Sequence, residues 1–223
     1  MLYSNACRGL KNIRWSIAIT VAGLLVYLMS RLFLLRSGYL SETAEGILAA
    51  VELLASVAAA VLQILGLFQA AKDEDAFKAA LAVSLLSFLT ELSIVFLDRE
   101  SKAARVLSLV SIAASMLCLL LILRGVRNLA QRLENPVLVQ QSRRLRVLTL
   151  ITTGLGMLLI LAGNAAETDV ELLLLLLFFL VVGVLGGLLA FRLLRYLREA
   201  VKMLEFHRAK MTASGTVHNR NQV

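Results

Sequence analysis

The sequence predicts an all-α integral membrane protein. Its six transmembrane helices form an up-down bundle, with helices 4 and 6 extended into the cytoplasm. Three observations predict this. Six apolar stretches, at about 15–35, 46–71, 77–97, 104–123, 147–166 and 171–191, account for most of the 223 residues. The last contains Leu172 to Phe191, twenty residues without a charge. At about 1.5 Å per helical residue, such a run covers the roughly 30 Å hydrocarbon core of a bilayer. The charged residues are only 17% of the chain and fall between the stretches, and a single proline leaves the helices uninterrupted.

The first stretch follows Arg8, Lys11 and Arg14, as a signal peptide would, but it continues into Arg31 and Arg36 with no small-x-small cleavage site. It therefore reads as a retained helix. Its Ser16, Thr20, Gly23, Tyr27 and Ser30 recur at spacings of three and four and share one face. The second stretch carries Glu52, Ser56, Ala59, Gln63 and Gly66 in the same rhythm, and the third carries Ala80, Ser84, Ser87 and Glu91. The turn between them, Lys72 to Lys78, contains Asp73, Glu74 and Asp75 and reads as solvated, its acids capping the third helix. The fourth stretch carries Ser108, Ser111, Ser115 and Cys118, then runs past the membrane on Val126, Leu129 and Leu133 to a stop at Asn135-Pro136.

The last two stretches differ. The fifth holds Thr149, Thr152, Thr153, Gly154 and Gly156, with Gly163 and Asn164 near its outer end. The sixth opens on Leu172 to Leu177, a lipid-exposed run, and then places Gly183 and Gly187 in a GxxxG pair for helix packing, either within the chain or between copies. It continues through Ala190, Leu193, Leu194, Leu197, Val201 and Leu204 at helical spacing. The two amphipathic stems have three alternatives: to pack on each other, to lie on the lipid surface or to dock a partner. Residues 1–211 make a single transmembrane domain, and 212–223 a polar, disordered cytoplasmic tail.

Charge sets the orientation. Eighteen of the 23 lysines and arginines fall on one side of a six-span arrangement, so the positive-inside rule places both termini in the cytoplasm. The net charge of +8 reads as a basic collar for the anionic lipids of the cytoplasmic leaflet. Nucleic-acid binding is not expected, since no zinc-finger spacing or aromatic-studded basic motif is present. Leu- and Ala-rich spans without a glycosylation acceptor suit a bacterial plasma (inner) membrane. Cys7 and Cys118 are poorly placed to form a disulfide, and His207 and His218 are ordinary tail residues without metal-ligand spacing. No nucleophile elbow, phosphate loop, HExxH or CxxC occurs, so neither enzymatic activity nor a cofactor is expected.

Matched stripes on four consecutive spans predict a packed bundle with a polar seam. Folding helices 3 and 4 about Asp98–Lys102 sets Glu91 level with Ser111, Ser87 with Ser115, and Ser84 with Cys118. Folding helices 1 and 2 about Arg36–Ala44 sets Glu52 level with Tyr27 or Leu28 and Arg31 a turn further out. Gln63 comes level with Leu86 and Ser87. An ionised residue at mid-membrane costs about 2.5–3.5 kcal/mol and seeks a partner or water. Tyr27, Arg31, Glu52, Gln63, Ser87, Glu91 and Ser111 thus form a candidate intramembrane polar site. It is either an outward-opening cavity with Arg31 beside Glu52 and a protonatable Glu91, or a packing lock in which both acids are satisfied by Ser and Gln, or one acid is simply tolerated neutral near the interface. The corresponding functions are a small transporter or channel subunit, or a scaffold that binds a membrane partner or its own copies through the basic stems.

Overall fold

A computed structural model describes residues 3–37, 42–97, 102–163 and 169–220. Side chains are described throughout these except at 27, 28, 31–37, 42–45, 52, 95, 102, 105, 160, 162, 163, 169–176 and 212–220. These segments form six helices: α1 (Ser4–Ser37), α2 (Glu42–Ala70), α3 (Asp75–Val95), α4 (Lys102–Arg132), α5 (Pro136–Gly163) and α6 (Asp169–Arg220). Five contain a stretch long and apolar enough to cross a membrane: Ser4–Val26, Gly46–Ala70, Asp75–Ile94, Val106–Arg132 and Leu177–Met211. Helix α5 is not among the five. Arg143, Arg144 and Arg146 interrupt its first half, and its apolar second half runs to the edge of the described residues at Gly163.

Each helix packs on its neighbours in sequence, and α6 returns to α1, so the six form a closed ring. The broadest seams are α1–α2 and α3–α4; α2–α3 is the slightest. The start of α1 and the later part of α6 meet at one end, the base, where Lys11 pairs with Glu205, and dense packing is concentrated there. Leu10, Ile13, Leu67, Phe77, Leu123, Leu129, Tyr196 and Leu197 are fully buried in a single cluster. Further from the base the same helices turn large apolar side chains outward, with Leu54 69% and Val184 63% exposed. In water such a girdle would be an aggregation surface, whereas against lipid it needs no partner, because the helical backbone satisfies its own hydrogen bonds. Trp15 and Phe68 stand exposed at its lower edge, with the Arg14 guanidinium 5.9 Å and the Lys72 ammonium 5.3 Å from their rings. These are the amphipathic anchors of an interface.

Two glycine contacts set the packing at the base. A Cβ on Gly66 would stand 2.7 Å from the Gly9 carbonyl oxygen and 2.8 Å from Ile13 Cγ1, so α1 and α2 touch backbone to backbone. A Cβ on Gly125 would stand 2.7 Å from the Phe77 ring, which fills the space that glycine leaves. Ser16 Oγ donates to the Ala59 carbonyl at 2.7 Å, and Gly23 faces Ala55. Folding about the outer connection sets Ala59 level with Val21 instead. Elsewhere Asn12 meets Gln69, the Ala6 amide meets Asp73 and Gly23 faces Ala55, each within two residues of the level that folding sets, so the expected register holds and Ser16–Ala59 stands a little over a turn from it.

The acidic turn after α2 also departs from expectation. Asp73 Oδ2 accepts from the Ala6 amide at 2.6 Å, so it caps the start of α1, which has no acid of its own in its first turn. Glu74 is the N-cap residue of α3 but makes no side-chain cap bond. It is buried instead, accepting from Asn128 Nδ2 at 2.7 Å and pairing with Arg132 at 2.8 Å. Only Asp75, paired with Lys78 at 2.7 Å on the surface, sits in the first turn of α3. Three like charges on one short turn are separated by giving each its own partner.

Helix α4 ends at Arg132, and Glu134 adopts a left-handed backbone (φ 52°) while the Asn135 amide reaches back to the Ala130 carbonyl. Asn135 Oδ1 then accepts from the Leu138 amide at 3.2 Å, capping α5 with Pro136 at its first position. The two stems bury Val126, Leu129, Leu197, Val201 and Leu204 in the common core, α4 packing on α3 and α5 and α6 on α5 and α1. Helix α6 continues past Thr212 to Arg220 where a disordered tail is expected. No proline interrupts it there, and Gly215 alone weakens a helix by only about 1 kcal/mol.

Candidate functional site

The serines of α3 and α4 meet as a ladder. Ser111 Oγ donates to Glu91 Oε1 at 3.0 Å, and Ser87 Oγ lies 3.4 Å from the same oxygen. One turn nearer the base, Ser87 and Ser115 share a hydrogen bond at 3.0 Å. A further turn down, Gln63 Nε2 of α2 donates to Ser84 Oγ at 3.2 Å and reaches Cys118 Sγ at 3.5 Å. Cys118 in turn donates to the Ala80 carbonyl at 3.5 Å. The ladder ends above Phe77. All three depth matches expected between spans 3 and 4 are therefore actual neighbours, while Gln63 lies about a turn below its expected level.

Above the buried base the ring encloses a cavity of 560 Å³. Its polar lining is Thr20, Ser56, Gln63, Glu91 and Ser115, with Cys118 at the floor and Ile13, Ile17, Leu119, Ile122 and Leu193 as apolar wall. A water molecule occupies about 30 Å³ of the liquid, so this space holds more than one. Glu91, Ser115, Ser56 and Thr20 are exposed, whereas Ser84, Ser87, Ser111 and Cys118 behind them are buried. The arrangement is a cup: one carboxylate at the wall, hydroxyls and an amide below it, and a hydrophobic plug at the bottom. Glu91 Oε1 accepts from two hydroxyls, and Oε2 has no hydrogen-bond partner among the described residues.

Of the candidate residues, the structure brings Gln63, Ser87, Glu91 and Ser111 into one network. The side chains of Tyr27, Arg31 and Glu52 lie outside the described residues. Gly183 and Gly187 do not seat another helix of this chain, since a Cβ on either would meet nothing within 4 Å. The reason is that α6 turns inward a face about a quarter turn away: Gly186, Leu189, Ala190 and Leu193 line the cavity. That contribution of α6 was missed. The signal was the spacing of 186, 189, 190 and 193, which continues the apolar face of the stem into the span. Among the described residues, no three His, Cys, Asp or Glu side chains are grouped so as to hold a metal ion, and both cysteines are free and buried.

The chain is thus an all-helical protein with five helices of membrane-spanning length and composition, arranged around a polar-floored cup. No protein-family model, curated protein or solved structure matches it.

Proposed function

We propose that this is a multi-pass plasma-membrane protein, a small transporter or channel subunit, whose cup takes up a small cation or polar solute at Glu91. The observation that carries this reading is the 560 Å³ cavity with Glu91 at its wall and Gln63 at its floor. A seam built only to lock helices would close on its polar groups, whereas here the carboxylate faces open space. All six helices cross the bilayer in this reading, α5 on its apolar half beyond Arg146. The base, where most of the arginines and lysines lie, faces the cytoplasm. The plug of Leu10, Phe77, Leu123 and Leu197 closes the cytoplasmic side, so the cup is an outward-open state.

A scaffold acting through free basic stems is less well supported, because the stems are part of the core. The test is flux in proteoliposomes across a panel of alkali cations, protons and small polar solutes. Wild type is expected to move at least one of them, and Glu91→Gln to lose most of that flux while keeping its helical signal. No flux of any of these by wild type overturns the reading. Cysteine labelling from either side of the membrane tests the orientation.

A further inference from the structure

A second cleft lies on the outside of the ring, between α4 and α5, and nothing in the cup reading uses it. Its part near the base is a cavity of 740 Å³ lined by Arg127, Gln131, Glu134, Gln140, Arg143 and Arg146, so that three arginines face one acid. Immediately beyond it lies a second space of 470 Å³ lined by Leu117, Leu120, Leu121, Val147 and Leu150 together with Arg124, Arg143 and Arg146. Arg143 and Arg146 line both. Guanidiniums at one end and leucine and valine at the other make an amphipathic slot, with its charges at the apolar edge of α4 and α5. The Nε atoms of Arg127 and Arg146 are buried and lack a hydrogen-bond partner among the described residues. A buried donor without an acceptor is unfavourable, and an anionic oxygen such as that of a phosphodiester would satisfy it.

The geometry points to a binding site for one anionic phospholipid: its phosphate sits among Arg127, Arg143 and Arg146, and an acyl chain lies along Leu117, Leu121 and Leu150. A soluble phosphate would use the arginines but leave the apolar half empty, whereas a zwitterionic lipid would fill the apolar half but bring a cation towards the arginines. Four arginines within one slot also suit a lipid with two phosphates better than a lipid with one. Basic pockets between transmembrane helices at the headgroup level have the right chemistry for this. The inference rests on the membrane placement of α4 and α5, and it is independent of what the cup binds.

The test uses the full chain, delipidated in neutral detergent, with lipid binding read by native mass spectrometry and by the thermal shift. The probes are cardiolipin, phosphatidylglycerol, phosphatidylcholine and inorganic phosphate. Wild type is expected to bind cardiolipin more tightly than phosphatidylglycerol, and both more tightly than phosphatidylcholine. Inorganic phosphate at matched concentration is expected to give no shift. Arg124→Gln with Arg143→Gln removes two exposed guanidiniums and should weaken cardiolipin binding by about fivefold per residue. Arg198→Gln with Lys202→Gln removes the same charge from the exposed face of α6 and should leave binding unchanged. Because both pairs lie on the surface, folding is preserved, and the helical signal checks this. Equal weakening in the two double variants, equal binding of phosphatidylcholine, or a phosphate shift as large as the lipid's would each overturn the site. Flux is not measured, so failure here leaves the cup reading standing.

Discussion

Replacing Gly66 by alanine tests the structure at its tightest point. The new methyl would stand 2.7 Å from the Gly9 oxygen, where ordinary contact begins at 3.4 Å, a shortfall of 0.7 Å. The opposing atom is backbone, so α1 and α2 must separate by about that distance. The Ser16–Ala59 hydrogen bond would stretch from 2.7 Å to about 3.4 Å, and the Asn12–Gln69 bond, already 3.3 Å, would be lost. Overpacking of this kind costs about 1–3 kcal/mol, and a side-chain hydrogen bond between membrane helices contributes about 0.6 kcal/mol. Alanine returns up to about 1 kcal/mol of helix propensity, leaving a net loss of about 1–2 kcal/mol. Gly187→Ala is the control: its methyl meets nothing within 4 Å, so only the propensity gain applies. The assay is loss of helical signal as denaturing detergent is titrated into mixed micelles. Gly66→Ala should unfold earlier than wild type and Gly187→Ala no earlier. Equal stability of the two variants would refute the close approach of α1 and α2.

Arg132→Met should destabilise the base by about 2 kcal/mol in the same titration, because Glu74, whose side chain is only 5% exposed, would retain Asn128 as its one partner. Glu74→Gln should be milder, since the half-exposed Arg132 can turn to water. Gln63→Leu removes the bond joining α2 to the serine ladder and should lose about 0.6–1.7 kcal/mol, with no change in helix content by circular dichroism. Cys7 and Cys118, 5% and 2% exposed, should resist a polar maleimide until the protein unfolds, and then both should react.

Much of the ladder is legible in the sequence. Serines three and four apart on a leucine background have one physical use in a helix, and a short turn between two helices fixes which residues stand level. That is why Glu91 with Ser111, and Ser87 with Ser115, emerge from numbering alone. The α1–α2 register could be read nearly as well, but the close approach of Gly9 to Gly66 could not, because Gly9 lies before the apolar stretch that marks the span. Glu74 misled for a different reason. Asp-Glu-Asp between lysines looks like a solvated turn, and only the continuation of α4 to Arg132 brings Asn128 and Arg132 over the middle acid. The GxxxG pair shows that a motif states what a helix face can accept, not which face the fold turns inward.

The closure of α6 on α1 bears on how the chain is made. Lys11 and Glu205, joined at 2.6 Å, are nearly the full sequence apart. During synthesis the first helix enters the bilayer long before its final neighbour exists, and for that interval one flank of the assembly stays unzipped. The half of α6 beyond residue 193 is therefore the keystone, because it carries the Glu205 partner of Lys11 and closes the ring on α1. Such an open intermediate exposes unpaired helix surface, and completion of the ring is the event that covers it.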